Sequence, residues 1–279
     1  MAPSRNGGKA GVTALASPPF AALGVFGLGI AAVAGLIVGS FLNVLIHRLP
    51  REESVVYPGS RCPSCGAAIA PWDNVPVASW IVLRGRCRAC RARISVRYPF
   101  VELANGVLWA VFYLRAPSAA DFASGALLSS ACIALAFIDA DVQLLPDAIT
   151  LPGIAAGLAL SFFTRERSPL QAFSGAAAGA GGLYLVGWLW SRLRRVDAMG
   201  LGDVKMLAMV GAFLGGWGVL LTTFFASIAG SVVGLLLIAR RKGTLATEIP
   251  FGVFLAMGAV AAALAGTGLL ASYRALWAR

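Results

Sequence analysis

The chain has 279 residues, of which 58% are hydrophobic and only 13% are charged, and its mean hydropathy is +0.80. This composition excludes an ordinary soluble globular domain and predicts an integral membrane protein. The net charge of +11 at pH 7 does not require a nucleic-acid partner. The basic residues lie mainly in loops beside apolar segments, where topology and anionic lipid account for them.

Apolar segments recur along the chain at lengths close to the roughly 17 to 25 residues that a bilayer-crossing helix needs. We count eight, at about 20–46, 99–115, 122–138, 149–163, 170–190, 206–217, 218–239 and 252–272. The fourth and sixth are short and rich in glycine. The first resembles a signal peptide, but its apolar run is too long, so an uncleaved span is expected. The fold class predicted is therefore an all-α polytopic membrane protein with about eight transmembrane helices.

The distribution of lysine and arginine predicts which side of the membrane each loop faces, because these residues are retained in short cytoplasmic loops. With eight spans, 16 of the 23 basic residues fall on one side of the membrane. That side is predicted to be cytoplasmic, which places both termini outside. The long polar loop 47–98 then lies in the cytoplasm, together with Asp139, Asp141, Asp147 and Asp203.

The loop 47–98 contains two CxxC pairs, Cys62 with Cys65 and Cys87 with Cys90, separated by 21 residues. Four thiolates at this spacing suit a tetrahedral zinc ion and leave no open position for water, so the site is expected to be structural. Two disulfides or four free thiols are the alternatives. A reducing cytoplasmic face argues against disulfides. We expect a small zinc-binding loop domain between the first two spans.

Other polar residues favour structural roles. Cys132 lies alone inside a span and is interpreted as a packing residue. Asp73 and Asn74 are typical of a turn, and Glu102 at the start of the second span is typical of a cap or a loop anchor. His47 is the only histidine, so no choice of histidine base exists for a nucleophilic triad, and an interfacial role is favoured.

Two aspartates stand where apolar segments end: Asp139 at the end of the third and Asp203 just before the sixth. A carboxylate beside hydrocarbon is costly, so such a residue is a functional candidate. Two carboxylates held together can share a proton and act as an acid and a base. Gly200 and Gly202 permit a tight turn and close approach of a substrate, and Lys205 is placed to tune the local field. The alternative is two helix-end groups that never meet.

The sequence also resembles a known family through an ordered set of blocks between about residues 36 and 256. The blocks are Gly39–Pro50, the two CxxC pairs, Arg97-Tyr98-Pro99 with Val101-Glu102, Ile138-Asp139, Leu144-Leu145-Pro146-Asp147, Thr150-Leu151-Pro152, and Gly200-Leu201-Gly202-Asp203 with Lys205. Together they resemble bacterial type IV prepilin peptidases. One block alone is weak, but the ordered set is highly specific.

The resemblance implies a GxGD-type intramembrane aspartic protease of the bacterial cytoplasmic (inner) membrane. It would remove the short basic leader of prepilins and pseudopilins, the subunits of type IV pili and type II secretion systems. Asp139 and Asp203 match the family's catalytic pair, and Asp141 and Asp147 are expected to support the site or contact substrate. The resemblance also implies N-methylation of the new N-terminus from S-adenosylmethionine, although no residues that bind this donor are identified.

Two departures from the family pattern are visible: His47 stands where tyrosine is common, and Val253 where proline is common. Neither is expected to touch the aspartate pair. The chain divides into an N-terminal tail (1–19), two spans with the cysteine loop (20–116), a six-helix peptidase domain (117–273) and a C-terminal tail (274–279). Prepilins, pseudopilins and membrane lipid are the expected partners.

Two other classes of function remain open from the residues alone. A proton-coupled transporter would use the four aspartates as a relay, but the acids cluster at one face and no internal repeat is evident. A membrane scaffold would use the cysteine loop to recruit partners and would not need Asp139 or Asp203.

Overall fold

The computed structural model describes residues 23–194, 200–240 and 249–277, and the predicted N-terminal tail lies outside this part. The helices are α1 (Gly24–Arg48), α2 (Ala78–Val82), α3 (Arg97–Arg115), α4 (Ala119–Val142), α5 (Asp147–Leu160), α6 (Pro169–Arg194), α7 (Leu201–Ala239) and α8 (Phe251–Trp277). Within the described ranges, extended pairing is limited to two isolated bridges in the cysteine loop. The predicted all-α class is confirmed. Helix α8 extends beyond the predicted end at 272 and into the predicted C-terminal tail.

Four helices of the described residues, α1, α4, α6 and α7, are long and apolar enough to cross a membrane. The apolar part of α8 and the whole of α5 are shorter. Helix α7 is 39 residues long but is interrupted at Gly215, whose φ of 70° is left-handed and is readily adopted only by glycine. It therefore consists of two helices in series, 201–214 and 216–239. Two segments were predicted here, with the junction two to three residues further along the chain.

Helices α6 and α7 approach each other through glycine. A Cβ added to Gly175 would lie 2.5 Å from the carbonyl oxygen of Gly211, and one added to Gly211 would lie 2.1 Å from the carbonyl oxygen of Gly175. One turn further along α6, a Cβ on Gly179 would lie 2.4 Å from the carbonyl oxygen of Leu207. Small residues four apart are the usual way in which membrane helices bring their backbones together. This contact fixes α7 beside α6.

We expect Gly175→Ala to destabilise the protein, because the new methyl group has only backbone to displace. Overpacking of a well-packed contact costs roughly 1–3 kcal/mol. Gly182→Ala on the same helix is the matched control, since a Cβ there has no neighbour within 4 Å. Thermal unfolding in detergent should show a lower midpoint for Gly175→Ala than for Gly182→Ala. Equal midpoints would contradict this packing.

Helices α1, α3 and α4 form a second packed group that is held by buried polar contacts. The side-chain amide of Asn105 on α3 donates to the carbonyl oxygen of Gly35 on α1 at 2.7 Å. Its amide oxygen accepts a hydrogen bond from the hydroxyl group of Ser130 on α4 at 2.8 Å. Burial of these polar groups is tolerated because each has a partner. The group supports the cysteine loop, which joins α1 to α3.

Candidate active site

Asp139 lies in the last turn of α4, and only 5% of its surface is exposed. The helix ends there because Gln143 adopts a left-handed conformation and its N–H caps the carbonyl oxygen of Asp139. The Asp139 side chain reaches the N-terminus of α8, where the backbone N–H of Val253 donates to Oδ2 at 3.0 Å. The free N–H groups of a helix start stabilise a carboxylate. A buried, oriented carboxylate results.

Asp203 lies in the first turn of α7, so it too faces the positive end of a helix dipole. Its carboxylate is close enough to that of Asp139 for the two to interact electrostatically. Leu145 lies beside both, since Cβ atoms added to Gly202 and Gly252 would each lie 3.0 Å from its side chain. The structure therefore brings together two aspartates that are 64 positions apart in the sequence.

The other predicted acids form ion pairs at the rim of this site. Arg97 on α3 binds Asp141 with its Nη1 at 2.8 and 2.9 Å and donates to the carbonyl oxygen of Phe137 at 3.1 Å. Lys205 on α7 binds Asp147 on α5 at 2.7 Å. Both aspartates are exposed. These pairs connect the end of α4 to the start of α3 and the start of α7 to the start of α5. The supporting or substrate-contacting roles of Asp141 and Asp147, and the effect of Lys205 on the local field, stay predictions.

The two predicted glycines differ. Gly202 packs against Leu145, whereas Gly200 has an extended backbone directly before α7. Among the described residues, only Gly202 N lies within 4 Å of a Cβ added to Gly200. A tight turn at Gly200 stays a prediction, because residues 195–199 lie outside the part of the chain that the structure describes.

Sequence reasoning missed Gly252 and Val253 as site residues. The expectation that Val253 does not touch the aspartate pair is wrong, because its backbone N–H binds Asp139. A side-chain comparison could not reveal a backbone contact, and a proline at this position would have no N–H to donate. The available signal was the motif Ile249-Pro250-Phe251-Gly252, which marks a helix start.

We expect Gly252→Ala to lower the activity of this site at least about tenfold, since displaced catalytic geometry of about 1 Å costs up to 10²-fold. The added Cβ would lie 2.8 Å from Oδ2 of Asp139 and 3.0 Å from its Cγ, so the carboxylate must move. Gly268→Ala on the same helix is the control, because the space around it is open. Activity and expression of both variants should be measured together. An active Gly252→Ala enzyme would show that Asp139 does not need this position.

The four loop cysteines converge. Their sulfur atoms all lie within 4.8 Å of one another, and each CxxC pair occupies a tight turn of the same design. The N–H of Cys62 donates to the carbonyl oxygen of Ala67, and the N–H of Cys87 donates to that of Ala92. The second turn repeats the first one 25 residues later along the chain. In both turns the residue after the second cysteine, Gly66 or Arg91, has a left-handed backbone. Sequence reasoning did not detect this internal repeat.

The cluster can hold a metal ion. The Sγ atoms of Cys62 and Cys90 are 3.8 Å apart. The edge of a tetrahedron with zinc–sulfur bonds of about 2.3 Å is about 3.8 Å long, so the geometry fits. Backbone hydrogen bonds from Cys65 and Ser64 lower the pKa of the Cys62 thiol to about 6. For Cys90, the Ala92 backbone hydrogen bond lowers the pKa, but the neighbouring thiols and burial outweigh it and raise that pKa to about 11. A metal ion would therefore meet Cys62 as a thiolate and displace the proton of Cys90. None of the described cysteines forms a disulfide, and Cys132 lies buried in the helix core.

The predicted loop roles of Asp73 and Glu102 agree with the structure, whereas the interfacial role of His47 stays a prediction. The Asp73 carboxylate binds Arg88 through two hydrogen bonds of 2.6 and 2.7 Å, which lower the pKa of Asp73. Glu102 accepts a hydrogen bond from the backbone N–H of Val77 at 2.7 Å and so anchors the loop to α3. His47 is exposed at the end of α1.

Comparison with known proteins gives matches to two family models. Residues 33–116 match the bacterial peptidase A24 N-terminal domain, and residues 126–235 match the type IV leader peptidase family. The chain is 41% identical over 269 residues to a prepilin leader peptidase/N-methyltransferase of Stutzerimonas stutzeri, with 87% of this chain and 92% of that protein covered. A protein of the same name from Pseudomonas aeruginosa is 38% identical, with 86% and 90% covered. No solved structure matches the chain.

Proposed function

The chain belongs to the type IV leader peptidase family, and we propose that it removes the leader peptides of prepilins and pseudopilins with Asp139 and Asp203 as its catalytic pair. The observation that carries this proposal is the meeting of two carboxylates at the ends of α4 and α7, beside the start of α8. Of the four predicted aspartates, Asp141 and Asp147 are exposed and ion-paired, which favours Asp139 and Asp203 for the chemistry.

The pair acts on one water molecule. One ionised carboxylate takes a proton from the water, whose oxygen attacks the scissile carbonyl carbon, while the other, protonated carboxyl group donates to the carbonyl oxygen. Collapse of the tetrahedral intermediate breaks the carbon–nitrogen bond, and the amine leaves with a proton from the pair. Two helix N-termini beside the carboxylates offset the cost of their shared negative charge. Because a nearby like charge disfavours ionisation of both groups at once, one partner can stay protonated while the other is ionised.

The site lies at the end of the helices that also carries the cysteine loop, since Arg97 at the start of α3 binds Asp141 at the end of α4. The proposed topology has eight membrane crossings, with α7 counted as two and both termini outside. This end then faces the cytoplasm from the inner membrane.

A prepilin leader is basic and remains among the cytoplasmic headgroups, while its apolar helix lies among the spans. The division into an N-terminal part (20–116) and a peptidase part (117–273) belongs to the same proposal.

We further propose that Cys62, Cys65, Cys87 and Cys90 bind zinc as a structural clip, and that S-adenosylmethionine supplies the methyl group for the new N-terminus. The need for a methyl donor follows from the relatives' names, which include N-methyltransferase. S-adenosylmethionine is the donor that the family resemblance implies. No described residue recommends a nucleic-acid role.

The proposed peptidase activity is tested by co-expression with a tagged prepilin. Cleavage by the wild-type protein and its loss in Asp139→Asn and Asp203→Asn would support the aspartate pair. A scaffold predicts full cleavage by another enzyme regardless of either substitution. A transporter predicts loss of uptake with intact cleavage.

A further inference from the structure

A cavity of about 710 Å³ lies between the cysteine loop and the loop-proximal ends of α1 and α3. The chemistry of Asp139 and Asp203 makes no use of it. Its volume is within the range of roughly 300–1,000 Å³ that is typical of small-molecule sites. It is lined by apolar groups and by a few charged ones, among them Glu102, Asp73 and Arg88. That combination is expected where a ligand has both a ring system and charges.

Three of the lining groups are held in place. The indole N–H of Trp80 donates to the carbonyl oxygen of Ile94 at 3.2 Å, and the ring packs against Gly85, where an added Cβ would lie 2.9 Å from Cζ2. Glu102 is only 8% exposed and is oriented by the Val77 N–H. Arg88 is held by the Asp73 carboxylate in a two-point contact. The cavity therefore presents a fixed aromatic ring, a buried carboxylate and an oriented guanidinium group.

We propose that this cavity binds the adenosyl sulfonium methyl donor, S-adenosylmethionine, with Trp80 contacting the purine, Glu102 its positive charge and Arg88 its carboxylate. Aromatic rings stack on nucleobases. Asp73 binds Nε and Nη2 of Arg88, so Nη1 is the nitrogen that donates to the ligand carboxylate. A buried glutamate selects a cationic ligand because an uncompensated buried charge is costly. The proposal rests on the methyltransferase part of the proposed function.

The position of the cavity suits a reaction that follows cleavage. Tyr98 lines the cavity, and its neighbour Arg97 binds Asp141 and the carbonyl oxygen of Phe137, on either side of Asp139 along α4. The cavity and the aspartate pair are thus separated by this arginine contact at one end of the helix bundle. A new N-terminal amine released at the pair therefore lies at the same end of the bundle as the proposed methyl-donor site.

The test is calorimetric binding of S-adenosylhomocysteine, the demethylated product, to the full-length, zinc-loaded protein in detergent. We expect binding by the wild-type protein and a loss of at least about tenfold in affinity for Trp80→Leu and for Glu102→Gln, which corresponds to removal of one stacking or charge contact. Glutamine at position 102 can still accept the hydrogen bond from the Val77 N–H, so a loss of affinity in Glu102→Gln reports the loss of the negative charge. Trp80→Phe keeps an aromatic ring and should bind more tightly than Trp80→Leu, although it loses the bond to Ile94.

Trp72→Leu and Glu52→Gln are the matched controls, because both residues belong to the same loop region but do not line the cavity. Wild-type affinity is expected for both. Absence of analogue binding in a protein that cleaves prepilin would overturn the inference and leave the peptidase proposal intact. Unchanged affinity in Trp80→Leu and Glu102→Gln would also overturn it, as would binding of a basic leader peptide in place of the analogue. If the protein bound the analogue but its Asp139→Asn and Asp203→Asn variants still cleaved prepilin, only the peptidase proposal would be overturned.

Discussion

Asparagine at position 139 or 203 is expected to lower the rate of prepilin cleavage by about 10²- to 10⁴-fold, the usual contribution of a positioned acid or base. Asparagine has nearly the same shape as aspartate, but its amide can neither take a proton from water nor deliver one to the scissile carbonyl group. At position 139 it can still accept the Val253 N–H, so the start of α8 should stay in place. Cleavage should be measured as a time course with purified enzyme at equal protein amounts.

The matched control is Asp141→Asn, two residues further along α4. It removes an exposed ion pair with Arg97, and exposed pairs of this kind contribute roughly 0–1 kcal/mol. We expect a small change in stability and a loss of cleavage far smaller than that of Asp139→Asn or Asp203→Asn. The double variant Asp139→Asn/Asp203→Asn should be no worse than the more damaging single variant, because residues that act as a unit have non-additive effects. Retention of cleavage by either single variant would end the case for the pair.

Burial does not by itself identify the catalytic acids. Asp121 at the start of α4 is 8% exposed, close to the 5% of Asp139. Its carboxylate accepts hydrogen bonds from the Ser118 hydroxyl group and from the backbone N–H of Arg165. It therefore orients Ser118, the N-cap residue of α4, and holds the segment between α5 and α6. Asp121 also interacts electrostatically with a second acid, Glu166, but the positive charge of Arg167 lies beside these two. Asp139 differs because the carboxylate that it interacts with, Asp203, feels it as an uncompensated like charge.

Most helices could be predicted from the sequence because a bilayer imposes a length and an apolar composition that are readable locally. The separation of α7 into two helices was also readable, but not the position of its break at Gly215, since several glycines in this segment could supply it. The meeting of Asp139 and Asp203 could not be derived from periodicity, because it depends on how α4, α7 and α8 pack. Resemblance to a family suggested it, and the packing gives its geometry.

In the cysteine loop, too, features set by neighbouring residues could be predicted from the sequence, and contacts between distant residues could not. The spacing of the cysteines predicted one four-cysteine cluster, because each CxxC turn is local. The cavity beside it arises between the loop and two membrane helices, and no pattern along the chain encodes that contact. Val253 is the sharpest failure, since a backbone N–H has no signature in the side chains that a sequence comparison reads.

Loss of the metal is expected to unfold the loop while the membrane helices remain folded. In the loop between α1 and α3, only Cys62 and Gly85 are buried, so this segment has no apolar core of its own. Small segments of this kind need a metal or another cross-link. Structural zinc supplies about 10–16 kcal/mol of apparent binding free energy in zinc-finger peptides, far more than the other contacts of such a loop. A chelator should therefore make the arginines around Cys87 sensitive to trypsin.

The experiment combines metal analysis with limited trypsin digestion of freshly purified, reduced protein. We expect about one zinc ion per chain in the wild-type protein, almost none in Cys87→Ser, and a loop that trypsin cuts rapidly in the variant, because three thiolates do not complete the tetrahedral site. Cys132→Ser is the control: Cys132 lies in the helix core away from the cluster, so zinc content should not change. A chelator should open the wild-type loop and a reductant alone should not. If the reduced protein contained no zinc, and a reductant but not a chelator opened the loop, the cysteines would form disulfides and the proposed metal clip would be wrong.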